Sequence, residues 1–237
     1  MAMILRVGVN GAAGRMGKVT SCSILSQDDL HLAFTADRGD DLERAILETE
    51  ADVVVDFTVP EAVFRNTMTI IEAGARPVVG TTGLNAEELD AIDAALIERN
   101  LGGIAAPNFS LGALLMMKLA EEAARHMQAC EIVELHHEGK IDSPSGTSLL
   151  TAERLAGKIA PRPGDSAPSR GLAKGDVRIH SLRLPGQMAH QQVVFGGPGE
   201  SLTVTHNAIS RECFVPGILK AIREVLSLKG LQREMRI

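Results

Sequence analysis

The 237 residues carry a net charge of −6, with 45% hydrophobic and 23% charged side chains. This is the balance of a soluble globular protein with a sizeable core in one or two domains. The negative charge and lack of any basic run argue against a nucleic-acid or membrane surface, so an anionic ligand needs a local positive pocket. Cys22, Cys130 and Cys213 form no C-x-x-C pair, which predicts reduced thiols and a cytoplasmic chain. No apolar segment has the length or flanks of a signal peptide or membrane span. Trp and Tyr are absent, which excludes the tyrosine acid of Tyr-x-x-x-Lys dehydrogenases.

The first predicted strand, residues 4–9, runs into Asn10-Gly11-Ala12-Ala13-Gly14-Arg15-Met16-Gly17-Lys18. Glycines at 11, 14 and 17 between a strand and a helix allow a tight turn and close backbone approach to a pyrophosphate, with the helix start facing the negative charge. A second strand, 31–36, ends in Asp37, at the spacing where an acid accepts the ribose hydroxyls of an adenosine. Arg38 follows, with a fork of donors suited to a 2′-phosphate. A short charged helix over 40–50 and a buried strand over 51–57 come next. Thr58-Val59-Pro60-Glu61 has a capping-box pattern and predicts a helix start. Strand 77–79 leads into Gly80-Thr81-Thr82-Gly83, and a second capping box spans Asn85 to Glu88. Strand 103–106 ends at Pro107-Asn108-Phe109-Ser110. This alternation predicts a Rossmann-like α/β fold, a doubly wound parallel sheet with ligands beyond the carboxyl ends of its strands.

Ser110 is read as the cap of an amphipathic helix reaching Met127, with Met116, Met117 and Met127 as core filler. Strand 131–136 then enters Glu134-Leu135-His136-His137-Glu138-Gly139-Lys140-Ile141-Asp142-Ser143-Pro144-Ser145-Gly146-Thr147, and apolar spacing predicts a helix over 149–159. Histidine exchanges protons near neutral pH, lysine brings positive charge, and a helix start offers free N–H groups to an anion. Neighbouring strand residues face opposite ways, so one of His136 and His137 faces a substrate directly. Residues 162–175, rich in Pro, Gly and Ser, read as a flexible surface crossing. Strands over 177–184, 187–195 and 201–209 predict a second α+β domain with a mixed or antiparallel sheet. Phe214-Val215-Pro216-Gly217 opens a closing helix over 218–228. The boundaries read as 1–108 with 214–237 for the dinucleotide domain and 109–213 for substrate binding and oligomerisation. His180, His190 and His206 read as sheet or interface residues rather than ligands. Neither H-E-x-x-H nor a thiol pair supports a metal site.

The stretch E-L-H-H-x-x-K-x-D-x-P-S-G-T resembles the signature of the 4-hydroxy-tetrahydrodipicolinate reductase family of bacterial lysine and diaminopimelate biosynthesis. D-F-T-x-P-E, V-x-G-T-T-G and N-F-S-x-G are similar to that family's cofactor-side loops, so the resemblance runs from Gly11 to Gly217. It implies NADH or NADPH as cofactor, a small cyclic dicarboxylate as substrate, and a homotetramer built through the second-domain sheet. It implies His136 as proton donor/acceptor and Lys140 as partner acid. His137, Gly146 and Thr147 would hold substrate carboxylates, and Gly80, Thr81 and Thr82 would border the ribose and nicotinamide. Pro107, Asn108 and Phe109 would lie on the cofactor side at the domain junction. The segment between Asp37 and Ala51 is shorter than in many relatives. Two other readings stay open: another dinucleotide-linked dehydrogenase of aspartate-family metabolites, and a noncatalytic nucleotide sensor. The former lacks a reason for H-H-x-x-K with P-S-G-T, and the latter needs no acid–base group.

Overall fold

The structure is a computed structural model that describes residues 4–160 and 168–237. Two compact units emerge: one reaches to Ser110 and resumes at Phe214 through Arg236, the other spans Leu111–Cys213.

The first unit alternates β1 (Leu5–Asn10), α1 (Arg15–Leu25), β2 (Leu30–Ala36), α2 (Leu42–Thr49), β3 (Val53–Asp56), α3 (Pro60–Glu72), β4 (Arg76–Val79), α4 (Ala86–Glu98) and β5 (Gly102–Ala105). Val53, Val54 and Val55 are all fully buried, as a central parallel strand requires of both its faces. Local chemistry sets the helix starts. Asp41 accepts from Arg44 N–H before α2, and Asn85 with Glu88 completes a reciprocal capping box before α4.

The box predicted at Thr58 does not form. Val59 occupies the cap of α3 without a side-chain bond, and Pro60 sets the first helical position. The Thr58 hydroxyl instead donates to Asp56 at 2.7 Å. A buried carboxylate is the stronger acceptor and wins the hydroxyl.

The second unit contains α5 (Leu111–Ala123), β6 (Ala129–His136), α6 (Gly146–Leu155), β7 (Leu172–Lys174), β8 (Val177–Arg183), β9 (Ala189–Gly197) and β10 (Glu200–Ala208). The order is β10-β9-β6-β8-β7, with β6 and β8 parallel and the other pairs antiparallel. Ile132, Ile179, Val193 and Phe195 pack one face of this sheet against Ala120, Ala124, Ala152 and Leu155. Each such large side chain contributes roughly 1.5–3 kcal/mol by leaving water. Leu182 and Leu202 remain exposed.

Four predicted spans shift, the closing helix expected over 218–228 running instead over Val215–Glu224 with a 3-10 turn at Val225–Ser227. Helix α5 stops at Ala123, so Met127 lies outside it but still packs on the core. Helix α6 begins at Gly146 rather than 149 and ends at Leu155, while Ile159 stays buried beyond it. Of the crossing predicted over 162–175, residues 162–167 lie outside the described residues, and Leu172–Lys174 forms the edge strand β7.

The chain then re-enters the first unit through α7 (Val215–Glu224) and β11 (Gly230–Gln232), a strand the sequence reading lacked. The completed sheet has the order β11-β5-β4-β3-β1-β2, and every pair is parallel. The loops after Asn10, Ala36, Asp56, Val79 and Ala105 therefore gather at one sheet edge, where an open α/β sheet binds its ligand.

Candidate active site

In the first unit, Gly11, Gly14, Asp37 and Arg38 line a cavity of about 670 Å³ together with Thr58, Glu61 and Arg65. Gly11 has φ +79°, and a Cβ there would lie 2.5 Å from the Phe57 carbonyl oxygen. A Cβ on Gly17 would lie 2.6 Å from the Ala12 Cα. Only hydrogen at these positions lets the turn lie flat under helix α1, so the loop fits a pyrophosphate cradle. Ala12 and Ala13 continue the turn, and Arg15 and Met16 open the helix.

Asp37 already accepts the Ala13 N–H at 2.8 Å, tying the end of β2 to the glycine turn. Arg38 and Arg65 bring two exposed guanidiniums to the same cavity, neither with a hydrogen-bond or ion-pair partner among the described residues. Arg65, on α3, was not singled out from sequence because nothing local marks it.

Met16, Gly80, Pro107, Asn108 and Phe109 line a second, more apolar cavity of about 170 Å³. Phe57 borders both cavities and meets Phe109 edge to face at 6.2 Å between centroids. Thr81 and Thr82 lie beside this group in the loop after β4. Thr81 donates its hydroxyl to Asp56 at 2.8 Å, and Thr82 is exposed.

Asp56 organises these loops from below. It is fully buried and accepts five hydrogen bonds, from Thr58 N, Thr58 Oγ1, Thr81 Oγ1, Asn10 Nδ2 and Asn66 Nδ2. A single carboxylate thus fixes the ends of β1 and β3, the turn after β4 and the first turns of α3. The D-F-T stretch hinted at this, but the donors come from four segments.

In the second unit, the His-rich loop connects β6 to α6. His136 ends the strand, and its Nδ1 pairs with Glu134, a fully buried carboxylate two residues earlier on the same side. Arg183 Nη1 donates to the other oxygen of Glu134 at 2.9 Å. Burial opposes ionisation of Glu134, yet hydrogen bonds from His136, Ser181 and Arg183 prevail and hold its pKa at about 2. The same guanidinium donates to the carbonyls of Lys140 at 3.3 Å and Asp142 at 2.7 Å.

Lys140 is half-buried, and its Nζ lies 2.7 Å from both Asp142 oxygens. That hydrogen bond outweighs partial burial and pulls the Asp142 pKa below its ordinary value. His137 begins the turn that returns to Lys140, whose N–H donates to the His137 carbonyl at 3.1 Å. Gly146 and Thr147 open α6 behind Ser145, which accepts the Ser148 N–H at 3.2 Å. Their own N–H groups stand outside the ladder of the helix, the geometry that suits a carboxylate. A buried chain from Ser145 to Ser148, Gln191 and Thr151 anchors this helix start on β9. Glu134, Arg183 and Gln191 were all missed, because their partners are distant in sequence or visible only once the sheet has formed.

Family models give these two units a common context. One described as the N-terminus of dihydrodipicolinate reductase matches residues 5–109, and one described as its C-terminus matches residues 112–235. A protein of Coxiella burnetii (strain Dugway 5J108-111) named 4-hydroxy-tetrahydrodipicolinate reductase is 46% identical over 233 residues, 97% of each chain. A protein of that name from Legionella pneumophila (strain Corby) is 44% identical over 236 residues, again 97% of each. A solved dipicolinate-bound dihydrodipicolinate reductase from Paenisporosarcina sp. TG-14 has a TM-score of 0.87 at 33% identity, covering 98% of both chains. The chain belongs to the dihydrodipicolinate reductase family.

Proposed function

We propose that this chain carries out the reaction named in its relatives: reduction of 4-hydroxy-tetrahydrodipicolinate to tetrahydrodipicolinate, with loss of water, by a reduced nicotinamide dinucleotide. It is an oxidoreductase of lysine and diaminopimelate biosynthesis. When bound, the nicotinamide supplies a hydride to a ring carbon of the unsaturated imine left by water loss. The ring then needs a proton, and His136 gives it with Lys140 as partner acid. His137, Gly146 and Thr147 hold the two carboxylates, with the positive end of α6 and Lys140 offsetting the net negative charge of the chain.

On the cofactor side, residues 11–16 carry the pyrophosphate, and Asp37 and Arg38 meet the adenosine ribose. Gly80, Thr81 and Thr82 border the second ribose and nicotinamide, with Pro107, Asn108 and Phe109 beside them. Both NADH and NADPH are accepted. The less covered face of the second-unit sheet, with Leu182 and Leu202 exposed, supports assembly into a homotetramer, and the reduced thiols suit a cytoplasmic enzyme.

The observation that carries this reading is the loop from His136 to Thr147, which combines an acid–base group, a lysine and a helix start. The test is loss of NADPH absorbance on adding the condensation product of pyruvate and aspartate semialdehyde. His136→Gln is expected to lower kcat by on the order of a hundredfold with cofactor affinity unchanged. Wild-type turnover in that variant, or no absorbance loss with the native protein, overturns the reading.

A further inference from the structure

Strands β6 and β8 are parallel and in register, with Glu134 opposite Ser181 and His136 opposite Arg183. This pairing places an acid, an imidazole and a guanidinium from two strands within mutual reach. Glu134 is fully buried, so its two oxygens must find their donors inside the protein. One accepts from Arg183 Nη1 at 2.9 Å; the other lies against His136 Nδ1 as an ion-pair contact, and neither of those two buried atoms has a hydrogen-bond partner elsewhere among the described residues. An ionised carboxylate can only accept, so the imidazole nitrogen facing it carries a proton in both of its charge states.

We propose that Glu134 and Arg183 are positioning residues for His136: Arg183 fixes Glu134, Glu134 holds the Nδ1–H, and Nε2 is left as the atom that exchanges a proton with the substrate. This rests on the role given to His136 above. The proton balance is simple. Nε2–H of the imidazolium is given to the ring carbon, its bonding pair stays on Nε2, and the neutral Nδ1–H imidazole regains a proton from solvent. Arg183 extends the device to the loop, because the same guanidinium binds the carbonyls of Lys140 and Asp142. The backbone of the proposed partner acid is therefore set by the group that fixes the dyad.

A glutamine at 134 discriminates this role from mere packing. Arg183 demands an oxygen, so the amide oxygen turns to it and the amide NH2 faces His136 Nδ1. The neutral imidazole is then forced into the Nε2–H tautomer, and its Nδ1 loses the acceptor that supported the imidazolium. The experiment is ¹⁵N NMR of histidine-labelled protein, with His136→Gln assigning the signal, together with steady-state kinetics. The expected result is an Nδ1–H tautomer in the wild type, Nε2–H in Glu134→Gln, and a kcat reduced by on the order of a hundredfold. KM for the dinucleotide stays within about twofold, and Glu134→Gln added to His136→Gln costs nothing further, since the two act as one unit.

A wild-type Nε2–H tautomer overturns the proposal even if the Glu134 variant fails to fold. So does a Glu134→Gln enzyme with native kcat, or a loss that simply multiplies with that of His136→Gln. Native turnover in His136→Gln itself instead marks failure of the underlying role of His136.

Discussion

Replacing Asp56 with Asn tests whether one buried carboxylate holds the cofactor-side loops together. In the native protein Oδ1 accepts from Thr58 N at 3.1 Å, Thr58 Oγ1 at 2.7 Å and Thr81 Oγ1 at 2.8 Å. Oδ2 accepts from Asn10 Nδ2 at 2.8 Å and Asn66 Nδ2 at 3.2 Å. An asparagine keeps one oxygen and presents two N–H donors in place of the other. The backbone N–H of Thr58 cannot reverse its role, so the oxygen stays on that side and the new NH2 confronts Asn10 and Asn66. Asn10 can turn its amide to offer an oxygen, which leaves one buried donor without an acceptor. That group costs about 1–3 kcal/mol, and the remaining bonds lose charge assistance. Release from burying a charge offsets part of the loss. The net expectation is a destabilisation of about 2–4 kcal/mol, or a fall of roughly 5–12 °C in Tm for a chain of this size. Thermal unfolding followed by circular dichroism measures it, with Asp56→Ala as the harsher comparison because it removes the acceptor of all five bonds, leaving Asn66 only the Thr58 hydroxyl and Thr81 only the residue-56 carbonyl. An Asn variant that melts with the wild type, or an Ala variant more stable than the Asn variant, refutes the reasoning.

Asp142→Asn releases the Lys140 ammonium and is expected to tighten binding of a planar pyridine dicarboxylate several-fold, whereas Lys140→Ala weakens it by about 1.5–3 kcal/mol. Calorimetric titration checks both, and Thr147→Val serves as a milder loss. At the adenosine end, Asp37→Ala shifts the kcat/KM ratio towards NADPH, while Arg38→Ala and Arg65→Ala shift it towards NADH. Each exposed charge is worth about 1 kcal/mol, so the shifts are near fivefold, and they shrink in high salt. Glu134 predicts the acid response: its folded pKa of about 2 lies below the ordinary 4.5, so the unfolded chain binds the proton first as pH falls. The stability it contributes is therefore full above about pH 4.5 and is lost progressively towards pH 2, on the order of 3 kcal/mol in all. Urea midpoints taken between about pH 5 and pH 3 should fall less steeply in Glu134→Gln than in the wild type.

What could be read from sequence was what local chemistry decides. The glycine turn, the buried valines of β3 and the Asn85–Glu88 box each depend on residues within a few positions, and all three stand in the structure. The Thr58 box has the same local signature and fails, because the buried Asp56 competes for its hydroxyl. Arg183 looked like the end of an ordinary strand. Its link to Glu134, across 49 residues, exists only once β8 lies beside β6. Strand β11 escaped notice because three residues after a helix carry no alternation, and its place follows from the free edge of β5 rather than from its own pattern. The loop from His136 to Thr147 was legible as a cluster, but not the pairing of Lys140 with Asp142 or the buried chain that seats α6.

The position of β11 also sets an order of assembly during synthesis. Leu111–Cys213 is continuous and owns its sheet and core, so it can fold as soon as it has left the ribosome. The unit begun earlier must wait, because β5 keeps an unpaired edge until Gly230–Gln232 has been made. At ordinary elongation rates that interval is about 6–25 s, during which a parallel sheet one strand short is open to pairing with a neighbouring nascent chain. The unit that starts first therefore finishes last, and a ribosome stalled before Gly230 holds it in its most association-prone form. Slow codons placed just before that stretch should lower soluble yield more than the same codons within 111–213.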